Sequence, residues 1–538
     1  MMKPLKPFNI FLLFLLVHPG LFSQTSPVLS YLPKDAKAII KINPARLGQK
    51  IKWDELLKYK MFEDLMKETP EAKDFLKDPA QIGIDLDEGL FLIIPPNSNN
   101  KKPEPILYGV LKDTSRFAAV VRKTSPGKQP IKIGRGKLVI DGNTALAWNS
   151  EVFIFTGSSR KQKVSDQNIK TKTPVDVTAT KQLTETCKSF LAKKNPSLNN
   201  ENFTSLLKEQ GDVYIWMNNT TKSQAQKKGK AQEVAGMLNE RFMKRGDFSS
   251  AVVNFEKGKV VAQMKRYLSA FLDSIYKKYP VKNLSTDLFK KMPGGHPIFL
   301  ASFSFSPEIL NETFLNARAD KYLDSVSKQK IKIADVVSAV KGDITLAGIK
   351  VYEFTEEDSV TQALNGMQVF LTGHINDKEK FKTLMTQLQR KNEDSASKPA
   401  SKMKPLIFSN DSIFVVSISQ IAGQKFLETP GTNEELEKLI SPYKGHPGAF
   451  FLDLKTILGF AMQTVGKGKS DEDAKHASAV LGIFDSLISY GGEYDNKSTS
   501  NTMELILTNK DENSLKQFLN LLNLFYSMRP KAPTASNQ

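Results

Sequence analysis

"YLPKDAKAIIKINPARL", residues 31–47, joins a polar turn around Pro33 and Asp35 to a short apolar strand from Ala38. It then stops at Asn43-Pro44, a pair suited to the cap and first position of a helix. The second half of this stretch recurs. "AIIKINPARL" at 38–47 lies over "ASFSFSPEIL" at 301–310, an offset of 263, with Ala38 on Ala301, Pro44 on Pro307 and Leu47 on Leu310. A separate segment repeats at almost the same offset, 264. "ILYGVLKDTSRF" from Ile106 lies over "FLTGHINDKEKF" from Phe370, with Gly109, Asp113 and Phe117 on Gly373, Asp377 and Phe381. Two concordant offsets in one chain predict an internal duplication.

Coarser matches continue the register. Residues 136–158 correspond to a shorter copy at 405–419, "GDVYIWMNNTT" at 211–221 corresponds to "GAFFLDLKTIL" at 448–458, and the segment from Ser250 corresponds to the one from Gly491. The halves are expected at 27–283 and 284–528. Each divides again, into modules of about 27–205, 206–283, 284–425 and 426–528, with a disordered tail at 529–538. Within the first module the patterning predicts strands at 38–42, 88–94 and 105–111, helix within 44–77 and a further helix at 113–123. That order predicts an α+β fold of about four ferredoxin-like β-α-β-β-α modules, with antiparallel or mixed sheets and helices on one face. Asp113, Asp377 and Asp511 each precede a predicted helix, where a carboxylate caps backbone N–H groups.

The 538-residue chain is too long for a single core. Its first 24 residues read as a signal peptide, with Lys3 and Lys6, the apolar run "IFLLFLLV" and the break "HPGLFSQ". Export is therefore expected, to the periplasm, the outer membrane or beyond the cell. With Cys187 as the single cysteine, no intramolecular disulfide can form. No later stretch is apolar enough to span a bilayer. The net charge is +19, two less without the leader's lysines, and much of it sits in loops such as "KSQAQKKGKAQ". Such charge reads either as solvated loops that keep the chain soluble or as a surface for lipid headgroups or an anionic glycolipid. Lacking interleaved aromatics, the loops do not carry the pattern of specific nucleic-acid recognition.

Catalytic signals are sparse, and the reading assigns no catalytic, cofactor-binding or metal-binding residue. There is no H-E-x-x-H, G-x-S-x-G or second cysteine. "VGKGKS" at 465–470 has Gln463 where a phosphate loop needs glycine, and "KIGRGK" at 132–137 lacks the third glycine of a dinucleotide loop. Cys187 falls on an amphipathic helix and reads as a packed apolar residue. The candidate binding residues are His296 and His446, in two equivalent "GHP" turns, and the alternating aromatics Phe299, Phe303, Phe305, Tyr214 and Trp216. The histidines read either as ligands brought together by pseudosymmetry or as turn residues before a strand. The aromatics read either as buried core or as an open apolar sheet face.

A leader, then "YLPKDAKAIIKINPARL", then "PILYGVLKDTSRF", with the pattern returning after "MPGGHPIFLASFSF", resembles an uncharacterised family of exported proteins of Bacteroidota-type bacteria, domain of unknown function 4836. The resemblance implies an envelope location and no catalytic residues. Lipoprotein members of that family start with a lipidated cysteine, which this sequence lacks. The expected function is a non-enzymatic cell-envelope scaffold or protein-binding module that binds a protein or envelope component. The alternatives are a periplasmic carrier of a lipid or anionic glycolipid, and a hydrolase with an unfamiliar site.

Overall fold

The β-branched run Ala38–Ile42 forms β1, and Pro44 ends it by opening helix α1 (Pro44–Gly48). Asn43 caps that helix, its side chain accepting from the Arg46 N–H. In the computed structural model the described residues are 27–68, 79–96, 104–157, 177–194, 198, 200–219, 248–316, 333–350, 366–394, 405–428, 433–465 and 481–528. The leader, the tail and "GKGKS" at 466–470 lie outside them. The chain forms two compact units. Unit 1 comprises residues 1–221, 249–257 and 512–538, and unit 2 comprises 222–248 and 258–511.

In unit 1, helices α2 (Trp53–Leu56) and α3 (Lys60–Glu68) follow α1, and β2 (Ile84–Ile94) and β3 (Ile106–Leu111) lead to α4 (Thr114–Thr124). A meander of β4 (Ile131–Ile133), β5 (Gly136–Asp141), β6 (Thr144–Trp148) and β7 (Val152–Gly157) precedes α5 (Val177–Phe190), α6 (Glu201–Lys208) and β8 (Val213–Asn218). The strands join in the antiparallel order β8-β1-β2-β3-β7-β6-β5-β4. Strand β9 (Phe248–Glu256) contributes residues 249–256. The C-terminal helix Ser514–Ser527 also belongs here, with Leu515 and Leu519 buried in the core beside Leu86, Phe117 and Trp148.

Unit 2 opens with β10 (Lys259–Tyr267), α7 (Ala270–Lys278), α8 (Asp287–Lys290), β11 (His296–Ser304), α9 (Pro307–Asn316) and α10 (Ile333–Ala339). Then come β12 (Val340–Lys350), β13 (Met367–Ile375), α11 (Lys378–Asp394), β14 (Leu406–Ser409), β15 (Ile413–Ser417), α12 (Gln420–Glu428) and α13 (Glu434–Ile440). It closes with β16 (Gly448–Asp453), α14 (Leu454–Val465), β17 (Phe484–Tyr494) and β18 (Ser498–Leu507). Its antiparallel order is β10-β18-β17-β16-β11-β12-β13-β15-β14.

The α+β class and the antiparallel sheets match expectation. Within each unit the strands run on without a break: β8 pairs with β1, and β16 pairs with β11. Helices cover both sheet faces, not one. On β15, Ile413 and Val415 pack with Phe426 of α12, whereas Phe414 lies 5.2 Å from the ring of Phe381 on α11. Strands such as "VFIF" and "IFVV" are apolar at consecutive positions, so each face needs its own cover.

Gly109 and Gly373 have the same surroundings. A Cβ on Gly109 would lie 2.3 Å from the Phe153 ring, and one on Gly373 would lie 2.9 Å from the Phe414 ring. The phenylalanine fills the space above the glycine and packs against a core phenylalanine of the helix that follows the glycine's strand, Phe117 or Phe381. Gly109→Ala is expected to cost about 1–3 kcal/mol through overpacking, read as a lower urea midpoint at unchanged slope. Asp113 and Asp377 cap their helices as expected. At the third helix the cap is Asn513, two residues beyond Asp511, and it accepts from the Leu515 N–H.

The cross-strand registers refine the repeat. Ile42 stands level with Leu90 and Gly109, and Phe303 stands level with Ile344 and Gly373. Phe303 therefore occupies the place of Ile42, an offset of 261, although the prolines match at 263. The second strand runs two residues further before its helix. Two is even, so each side chain keeps its face.

Candidate functional site

Two glycine turns place the histidines. Gly295 adopts φ +137° against the Lys350 carbonyl, and Gly445 adopts φ +92°. The antiparallel pairing of β11 with β16 then puts His296 and His446 at opposite ends of those strands, roughly 25 Å apart by strand rise. They do not converge on one ligand.

Each histidine is held by carboxylates. His296 Nε2 lies 2.8 Å from Asp453 Oδ2, and its Nδ1 meets Glu435 at the start of α13. His446 Nδ1 meets Glu493, and its ring lies 4.9 Å from that of Tyr490. His374 was not singled out in the sequence, yet it has the same arrangement: Nε2 is 2.8 Å from Asp287 on α8, and Nδ1 is 2.5 Å from Asp343 on β12. The Asp453 hydrogen bond, with help from Glu435, pushes the His296 pKa up to about 9, and Asp287 and Asp343 do the same for His374. Both rings are cations at neutral pH with both nitrogens donating, so neither is poised as a general base. His476 lies outside the described residues. Among the described residues no group of three His, Cys, Asp or Glu side chains could hold a metal ion.

A folded-state pKa raised to about 9 fixes the sign of the pH dependence. The His374 ion pairs contribute fully below the ordinary histidine pKa of about 6.5 and are lost as pH rises through 9. Between pH 6.5 and 9.5 the native protein is expected to lose about 1–2 kcal/mol more stability than His374→Gln, since solvent screens the exposed Asp287. Parallel urea titrations at the two pH values measure it.

The aromatic candidates divide. Trp216 is buried with its ring 5.6 Å from that of Phe203, and buried Tyr214 donates its hydroxyl to the Glu209 carbonyl at 2.8 Å. Both belong to the unit 1 core. On unit 2, Phe299 is half-buried, its ring close over Gly348. Phe305 is half-buried with its ring 5.9 Å from that of Phe303, and Phe303 itself is 50% exposed. Beside it on the same face are Leu346 of β12, 37% exposed, and Leu371 of β13, 36% exposed and directly opposite Leu346. Alternation signalled Phe303. Leu346 and Leu371 gave no signal, because their membership in the patch comes from pairing between strands distant in sequence.

Cys187 is buried in α5, and desolvation pushes its thiol up to about 12, so it packs as an apolar residue. "KIGRGK" is the β4–β5 hairpin, with Gly134 at φ +55° in the turn.

A family model described as a domain of unknown function, DUF4836, matches residues 29–397. The chain belongs to that family. Two solved structures are similar to this DUF4836 chain, crystal forms IV and I of TP0453, at 11% and 9% identity. They cover 48% and 49% of this chain and 87% and 90% of their own, with TM-scores of 0.22 and 0.24. No curated protein matches. Among the described residues no helix is long and apolar enough to cross a membrane.

Proposed function

We propose that this DUF4836 chain is an exported, non-catalytic scaffold of the cell envelope that binds a hydrophobic segment of another protein on the apolar face of the unit 2 sheet. The observation that carries this reading is Phe303. Its equivalent Ile42 is partly buried against the unit 1 core, as is Leu107, the equivalent of Leu371. In unit 2 the same positions carry apolar side chains that stay open to solvent, and with Leu346 they make one patch on three adjacent strands. The commitment of both ring nitrogens of His296 and of His374 to carboxylates supports binding over hydrolysis at those two histidines. The leader supports export, and the repeated elements support the finer reading of a chain built by duplication from four β-α-β-β-α modules.

The test is a double variant, Phe303→Asp with Leu371→Asp. Both positions are exposed, so the melting temperature is expected to hold. Co-purification of a defined protein partner from the native envelope is expected to disappear. Loss of co-purifying lipid or anionic glycolipid in its place would move the reading to a carrier, and partner capture unchanged by the variant would overturn it.

A further inference from the structure

Among the described residues, the two units end their sheets differently. In unit 1, β6 is an interior strand: β7 pairs on one side, and β5 on the other, with Leu138 opposite Ala147 and Ile140 opposite Ala145. Strand β4 then continues the sheet beyond β5. In unit 2, β14 takes the place of β6, pairing with β15 as β6 pairs with β7, while β15 pairs with β13 as β7 pairs with β3. Among the described residues, no strand takes the place of β5 beside β14. The helix above is shortened to match: α5 packs on β5, β6 and β7 over 14 residues, whereas α12 spans nine and packs on β14 and β15.

"LIFS" at 406–409 is short and follows Pro405, two features that blunt a sheet edge, but it has no charged residue, proline or bulge within it. Apolar side chains gather at its N-terminal end. Leu406 is 38% exposed, and it pairs with Ser417, which precedes Ile418 (36% exposed) and Ile421 (69% exposed) at the start of α12. Phe408 is anchored from below, packing where Gly423 leaves no room for a Cβ.

We infer that the β14 edge is a strand-addition site, which takes an extended segment of another polypeptide with apolar residues at alternate positions. The chain supplies its own precedent, since β5 shows what the slot beside β6 accepts: an antiparallel strand whose Leu138 and Ile140, at alternate positions on one face, lie opposite Ala147 and Ala145, with Val139 buried on the other face in the unit 1 core. Backbone hydrogen bonds would give affinity, and Leu406, Ile418 and Ile421 would receive the apolar side chains. This surface is separate from the Phe303 patch, so the two are tested independently.

The probe is a synthetic peptide of residues 135–142, "RGKLVIDG", added to the intact protein and read by amide hydrogen exchange. Protection is expected to rise at residues 406–409. Two further peptides carry backbone N-methyl groups on alternate residues, one at Lys137, Val139 and Asp141, the other at Leu138 and Ile140. In an antiparallel ladder only alternate N–H groups face the partner. One peptide is therefore expected to bind about tenfold more weakly or worse, and the other to retain binding. No binding, binding that survives both methylated sets, or protection elsewhere would overturn the inference. Protection at 406–409 that rises with protein concentration alone would assign the edge to a second copy and overturn it as well.

Discussion

A chain ending at Asp511 is expected to lose the folded state of unit 1 while unit 2 stays folded. The helix Ser514–Ser527 is more than 250 residues in sequence from most of unit 1, yet it buries Leu515, Leu519 and Leu521. Lys516 pairs with Glu55 at 2.8 Å, and the Asn513 amide donates to the Phe255 carbonyl at 3.1 Å. Each buried leucine contributes about 1.5–3 kcal/mol, so the helix supplies a large part of the roughly 5–15 kcal/mol that a domain has. All three tryptophans, Trp53, Trp148 and Trp216, lie in unit 1. Tryptophan emission therefore reports this unit alone. Truncation is expected to give a red-shifted spectrum with no cooperative transition, while far-UV dichroism keeps the transition of unit 2. A truncated protein with native emission and an unchanged midpoint would refute the assignment of the helix to the unit 1 core.

Asp212→Ala is expected to destabilise unit 1 by about 3–5 kcal/mol, the usual cost of stripping a buried ion pair of one partner. Asp212 is fully buried at the start of β8, where it accepts from Arg46 Nε at 3.2 Å, from Lys50 Nζ and from the Phe255 N–H at 2.7 Å. The Asp212 N–H in turn donates to the Val253 carbonyl at 3.0 Å. One carboxylate thus ties the end of α1 to β8 and β9, and its removal leaves two cations facing each other. Urea unfolding followed by tryptophan emission measures the loss. Removing one cation together with the acid, as Asp212→Leu with Lys50→Met, is expected to recover part of it, because an apolar replacement of a buried pair costs little. A loss below about 1 kcal/mol for Asp212→Ala would mean that water reaches the carboxylate.

Local chemistry was legible in the sequence. The β-branched run of β1, the Asn43-Pro44 helix start and the Asp113 and Asp377 caps all rest on residues close together in the chain. Features that depend on pairing between distant segments were not legible. The Asp212 cluster joins side chains more than 160 residues apart, and nothing local in "GDVYIW" or "NPARLGQK" announces it. Period-two alternation gives the same signal for a strand facing core and for one facing water. Tyr214 and Trp216 read like Phe303 and Phe305, although the first pair is core and Phe303 is open. At Asp511 a two-residue shift of the helix start passes the capping role to Asn513, another residue with a suitable side-chain oxygen.

Phe303 is proposed to mark a protein-binding face. A photo-crosslinking amino acid placed at position 303 in the native envelope tests it most directly, with position 131 as control, since Ile131 is 52% exposed on unit 1. One dominant protein adduct is expected from position 303 and none from position 131. No adduct at 303, or adducts to lipid alone, would contradict it.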